Sequence, residues 1–311
     1  MKKAFFSFSL ILFFLFMLLQ PAETFHGASE GLLLWFQIVL PTLFPFLIIT
    51  NLLVSTNTLY YISRFISWFL SPIFHTSPAG TFAVVSGFLC GYPMGAKVTA
   101  DLLRSGKIRR NEAKYLLSFC NNTSPMFIMN YAVLNSLGKR ELLFPSLGIL
   151  MLSPVLVSFF FRLLYRDTAC TMSPTRQIPP LEFHFDLFDH TIMNSFETIT
   201  KVGGYIILFS VLTALLQELP LDSPLWKLIL LPSLEVTNGI AMLTKSGASF
   251  PVVFILMMTL ISFGGFCSIA QTQCMLHETG ISIFPYITEK LITATVTSLL
   301  AILYIKCIYL R

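Results

Sequence analysis

Residues 86–97 read Ser-Gly-Phe-Leu-Cys-Gly-Tyr-Pro-Met-Gly-Ala-Lys. Three glycines (Gly87, Gly91, Gly95) and Pro93 interrupt an otherwise apolar segment here. Proline has no amide donor, and a glycine costs about 1 kcal/mol in a helix interior. A break at this point frees backbone amides and carbonyls. In hydrocarbon such groups must find partners, so a broken helix survives only inside protein or beside a cavity. A helix restarting near Gly95 would offer its first amides, followed by Lys97, to an anion or polar ligand. The plainer alternative is a kink that permits close helix packing.

The rest of the chain sets that break in a membrane. Of 311 residues 55% are hydrophobic and 11% charged, with 31 phenylalanines, against about 25% charged in an average soluble domain. Mean hydropathy is +0.77. So few charges cannot cover so much apolar surface in water, which excludes an ordinary soluble enzyme, a disordered chain and a nucleic-acid binder. The expected fold is all-α, a polytopic transmembrane bundle of roughly eight to ten helices. Net charge is +5, as expected where Lys and Arg gather in cytoplasmic loops. The six cysteines (Cys90, Cys120, Cys170, Cys267, Cys274, Cys307) form no CxxC pair. They read as small apolar packing residues, without a metal site or disulfide framework; no metal or cofactor is expected.

Measured against about 20 residues per span, candidate segments fall at 4–20, 32–54, 59–75, 79–96, 112–136, 141–165, 196–219, 225–246, 250–274 and 283–306. Met1-Lys2-Lys3 before the first could open a signal peptide, but no A-x-A cleavage pattern follows, which favours an uncleaved helix with a cytoplasmic N-terminus. Segment 97–114, with Lys97, Arg104, Lys107, Arg109, Arg110 and Lys114, reads as a cytoplasmic loop. Lys139 and Arg140 fall outside, against the rule. The polar stretch 166–191 contains Pro174, Pro179 and Pro180, then Glu182, His184, Asp186, Asp189 and His190. It could ligate a metal but reads more simply as a solvated connector, with Asp186 suited to a helix start.

Two stretches resemble each other. At one fixed offset Gly91, Ala96, Leu102 and Gly106 meet Gly265, Ala270, Leu276 and Gly280. The expected organisation is an anchor helix (1–30), a first repeat with a connecting helix (31–165), a linker (166–191) and a second repeat (192–311), the repeats being inverted with the binding site between them.

Polar groups at bilayer depth mark that site. Cys120-Asn121-Asn122-Thr123-Ser124-Pro125 puts four polar residues before a proline that biases Ser124 away from helix. Asn offers donor and acceptor together, suited to a neutral polar ligand or an ion. Glu235, with Thr237 and Asn238 close behind, is a carboxylate in an apolar stretch and a functional candidate by default. Ser268 and Gln271 lie in the repeat mate of the Gly95–Lys97 region. The candidate binding residues are Gly91, Pro93, Gly95, Lys97, Asn121, Asn122, Thr123, Ser124, Glu235, Thr237, Asn238, Ser268 and Gln271. For each, packing, helix–helix hydrogen bonding or an interfacial position is the bland alternative. No GxSxG, HExxH, Walker A or GxGxxG pattern occurs, and no catalytic residue is expected.

The string Gly91-Tyr92-Pro93-Met94-Gly95-Ala96-Lys97, then Leu103, Gly106, Ile108, Glu112-Ala113 and Phe119-Cys120-Asn121-Asn122-Thr123-Ser124-Pro125-Met126-Phe127-Ile128, resembles the sporulation integral membrane protein YlbJ family with its nucleoside recognition (Gate) domain. Leu40-Pro41-Thr42-Leu43-Phe44-Pro45-Phe46 and Leu234-Glu235-Val236-Thr237-Asn238-Gly239 are similar to that family too. The resemblance implies a polytopic protein of an endospore former with a role in spore formation, and leaves the solute open. Two functions compete. One is a permease for a small polar solute, nucleoside-like by resemblance alone, with a coupling ion. The other is a non-transporting scaffold docking spore-envelope proteins or anionic lipid through 97–114. A membrane-embedded enzyme is disfavoured, since only Glu235 and Asp101 stand near a span as acid or base. The expected surroundings are the lipid bilayer and either further copies of the chain or spore-envelope proteins; nucleic acid is excluded.

Overall fold

The computed structural model describes residues 2–56, 58–165, 185–221 and 223–309. Most of the 166–191 connector, including Pro174, Glu182 and His184, therefore lies outside the described residues. The described residues are mostly helical, without strands. Helix α1 (Lys2–Leu19) precedes α2 (Pro21–Leu34), which runs through a π-helical turn into α3 (Leu40–Ser55). Residues Pro21–Leu53 form one continuous span, so the expected loop around Glu23, His26 and Glu30 is helix. Position 30 falls inside α2. Helix α4 (Leu59–Phe74) meets α5 (Pro78–Cys90) at 86°. Ser77 fixes that corner by accepting the Gly80 amide at 3.0 Å, with Pro78 at the first helical position.

Next come α6 (Met94–Arg104), α7 (Arg110–Cys120), a π-helical segment Phe127–Leu137, and α8 (Leu143–Leu164). The 97–114 stretch, expected as a loop, is a helical hairpin with its turn at Ser105–Arg109. Lys97 prolongs the helix because its ammonium pairs with Asp101 one turn on, at 2.8 Å. The second half runs α9 (Phe185–Gln217), a π-helical turn Trp226–Leu230, α10 (Val236–Lys245), α11 (Phe250–Phe263), α12 (Gly265–Met275) and α13 (Ile283–Tyr304). Segment 112–136 breaks at Asn121–Pro125, where the polar run before Pro125 points to a break, and 225–246, expected as one span, is two pieces as well. Among the described residues five helices are long and apolar enough to cross a membrane, and the bent α4–α5 pair makes a sixth. Phe65 and Trp68 are each 85% exposed, as lipid-facing side chains are.

The two halves share a coarse order of elements. A long span comes first in each: α2–α3, then α9. After α4, which has no counterpart in the second half, come a helical turn or helix, a break and a short helix: α5, Gly91–Pro93 and α6; Trp226–Leu230, Leu231–Glu235 and α10. A helix, a break and another helical segment follow: α7, Asn121–Pro125 and Phe127–Leu137; α11, Gly264 and α12. Each half closes on a 22-residue helix, α8 or α13. Packing follows the same order. The two long spans lie against each other and run opposite ways: Trp35 bonds Ile199 and Asn51 bonds Ser195. Helices α8 and α13 also pair, as do α6 with α12 and α10 with Phe127–Leu137.

Candidate functional site

Four chain interruptions converge inside the bundle around a cavity of about 60 Å³. Gly91 and Tyr92 line it from the first break, Thr123 and Ser124 from the second, Glu235 and Thr237 from the third. Gly264, Cys267, Ser268 and Gln271 line it from the fourth, and Ile38, Val39, Thr42, Val202 and Ile206 of the two long spans close it. Gly91 (φ 87°) and Gly264 (φ 85°) adopt the left-handed region that favours glycine. Space enforces the same choice. A Cβ on Gly91 would lie 2.7 Å from the Ser124 nitrogen, and one on Gly264 2.6 Å from Ser268 Oγ.

The restarted helices find partners for their first amides within the protein. Ala96 N–H donates to Asn121 Oδ1 at 3.2 Å. Phe266 and Cys267 N–H donate to the carbonyls of Ser233 (2.8 Å) and Leu234 (2.9 Å). Asn238 N–H donates to Glu235 Oε2 at 2.8 Å. Glu235 is 3% exposed. Among the described residues it is the one charged side chain on the cavity wall; no Lys, Arg or His lines it. Burying a carboxylate at this depth is costly. The cap at Asn238 offsets part of that cost, and a polar occupant would offset more.

Seven expected site residues meet here: Gly91, Thr123, Ser124, Glu235, Thr237, Ser268 and Gln271. Six do not line the cavity. Pro93 begins α6. Gly95 lets α6 touch α7, since a Cβ there would sit 2.5 Å from the Cys120 carbonyl oxygen. Lys97 pairs with Asp101. Asn121 joins elements: its Nδ2 donates to Thr272 Oγ1 and to the Tyr286 hydroxyl, each at 2.9 Å. Asn122 donates to the Phe119 carbonyl at 2.7 Å and accepts from Lys290 Nζ at 3.3 Å. Asn238 donates to Ser210 Oγ at 2.9 Å. Tyr92, Cys90 and Cys267 line the cavity and were not expected there; nor was Lys290 behind Asn122. A readable signal existed for Lys290, because Glu289 and Lys290 sit together inside an apolar span.

Asn121 therefore holds the fold, and Asn121→Leu tests this. It removes three buried hydrogen bonds, together about 2 kcal/mol inside a membrane. The expected result is a lower midpoint of thermal unfolding in detergent, with ligand binding per folded molecule unchanged. A normal midpoint with lost binding would place Asn121 on the ligand instead.

Residues 36–140 match the family model named Gate, described as nucleoside recognition. Over 343 aligned residues, 96% of this chain, the protein is 27% identical to the sporulation integral membrane protein YlbJ of Bacillus subtilis (strain 168) and covers 82% of that relative. No solved structure matches. The resemblance read from the 91–128 motif is thus borne out along nearly the whole chain. With its apolar spans, the chain is a multi-pass integral membrane protein.

Proposed function

We propose that the protein acts in sporulation, as its relative's name says of that protein, and serves as a permease for a small polar solute bound between two inverted repeats. What supports this most is one observation: interruptions from both halves meet at a largely apolar cavity whose single charged group among the described residues is Glu235. Opposed packing of the long spans fits repeats of opposite topology. A nucleoside-like solute is suggested by the family description. About 60 Å³ holds a few waters or an ion, well short of the 300 Å³ or more typical of small-molecule pockets, so such a solute enters only after the helices part. Lys2, Lys3 and the basic α6–α7 turn favour a cytoplasmic face for the N-terminus and that turn. No catalytic step is part of this function.

The scaffold alternative has less to draw on. Arg104 donates to the Met275 and His277 carbonyls at 2.8 and 2.6 Å, and Arg110 donates to the Gly280 carbonyl. Those cations are occupied within the chain rather than held out for a partner. The decisive experiment uses purified protein in vesicles with radiolabelled nucleosides and smaller polar solutes. Saturable uptake of at least one is expected. Passive leakage alone for all of them, with no binding by calorimetry, would remove the permease function.

A further inference from the structure

A second pocket lies apart from the central cavity. It occupies about 370 Å³ and is walled by three elements, two of which, α3 and α9, also reach the cavity. Asn51 and Ser55 come from α3, Asp101 and Arg104 from α6, His190 and Asn194 from α9. Its wall is polar and partly exposed: Ser55, Arg104, His190 and Asn194 are at the surface and Asn51 is buried. Along α3 the cavity ends at Leu43 and the pocket begins at Asn51; along α9 it ends at Val202 and the pocket begins at Asn194. Each interval is eight residues, about 12 Å at 1.5 Å per residue. Both helices therefore set the same thickness between the two spaces.

That layer is thin and well filled. Leu47 (1% exposed) stands midway along α3, and Ile199 (0%) midway along α9. Lys97 (6%) closes the α6 side, its ammonium drawn to Asp101, which itself faces the pocket. The opposite end of the α2–α9 seam is shut by backbone contact. A Cβ on Gly27 would lie 2.9 Å from Ser210 O, and one on Gly31 2.8 Å from Ile207 Cα. One end of the seam is thus a polar pocket behind a single layer of side chains, and the other is sealed main chain against main chain.

We propose that this pocket is the aqueous vestibule of the central cavity and an outer binding site for the solute, with Leu47, Ile199 and the Lys97–Asp101 pair as the barrier between them. It deepens the permease function and rests on it for the identity of the solute. The wall chemistry suits an uncharged, hydrogen-bonding solute: carboxamides of Asn51 and Asn194, a hydroxyl of Ser55, and a carboxylate already held by Lys97 and by Arg104 at 3.0 Å. The pocket has the volume of a small-molecule site, whereas the central cavity in this conformation has not.

Cys267 lines the central cavity and reports the route. The test takes the full chain with the other five cysteines changed to Ala, in sealed vesicles of both orientations, probed with a membrane-impermeant thiol reagent. Cys267 should be protected from either face. Leu47→Ala, and separately Lys97→Ala, should raise its labelling at least tenfold from the face bearing the α6–α7 turn and not from the other. Asn194→Cys on the same background is expected to label from that face at one rate with and without Leu47→Ala, which shows that the variant is folded. Labelling of Cys267 from the opposite face, no increase in either variant, or an unreactive Asn194→Cys would overturn the route. Labelling needs no solute, so the outcomes separate. The expected labelling with no saturable uptake upholds the vestibule and rejects the permease; uptake with labelling from the wrong face does the reverse.

Discussion

Gly87→Ala leaves no folded protein to purify. Gly87 is buried in α5, and a Cβ on it would stand 1.7 Å from the Cys120 carbonyl oxygen, 2.8 Å from Cys120 C and 3.1 Å from Gly95 Cα. All three are main-chain atoms, so no side-chain rotation relieves the overlap. Helices α5, α6 and α7 meet at this point, and separating them would unseat the Gly91–Pro93 and Asn121–Pro125 breaks that frame the cavity. Overpacking costs about 1–3 kcal/mol where side chains can adjust; against backbone the upper end or more applies. Size-exclusion of a fluorescent fusion should show aggregate alone. Gly148→Ala in α8 is the control, because nothing lies within 4 Å of its added methyl; it should elute as the parent does. A monodisperse Gly87→Ala peak of parental height would refute the three-helix crossing.

The second large effect is functional. Glu235→Gln should lower uptake by about ten- to a hundredfold while thermal stability stays near the parent's. The carboxamide oxygen can still accept the Asn238 amide, so the start of α10 survives. What is lost is the carboxylate on a wall that, among the described residues, carries no other charged side chain. A hydrogen bond to a charged group is worth about 1.5–3 kcal/mol, which at 1.4 kcal/mol per decade gives that range. Glu235→Ala should cost stability as well, since the cap disappears too. Uptake unaltered in Glu235→Gln would reduce Glu235 to a helix cap.

Hydropathy and the Gly-Pro interruptions were enough to read an all-α membrane bundle with broken helices from the residues alone. The break that divides 225–246 was not read. The one at Asn121–Pro125 was, and α7 ends and a new helical segment begins there. Within that joint, sequence could not tell which side each residue takes. Asn121 and Asn122 turn toward Thr272, Tyr286 and Lys290, while Thr123 and Ser124 line the cavity. Four consecutive polar residues carry no period from which to read a facing. Glu235 was legible as a candidate site residue, because a carboxylate at depth is conspicuous. Tyr92 was quoted within the motif and passed over, since an aromatic ring between Gly91 and Pro93 reads as apolar until its surroundings are known.

Glu289 and Lys290, 6% and 3% exposed, bear on how the chain is made. They lie about 10 Å inside the final helix α13, counted from Ile283 at 1.5 Å per residue. Entering lipid unaccompanied, each charge near a helix centre would cost about 2.5–3.5 kcal/mol. Their partners are Tyr165, whose hydroxyl donates to Glu289, and Asn122, which receives the lysine. Both lie upstream and leave the ribosome first. The order of synthesis thus has a receptacle waiting for these two charges before they are translated.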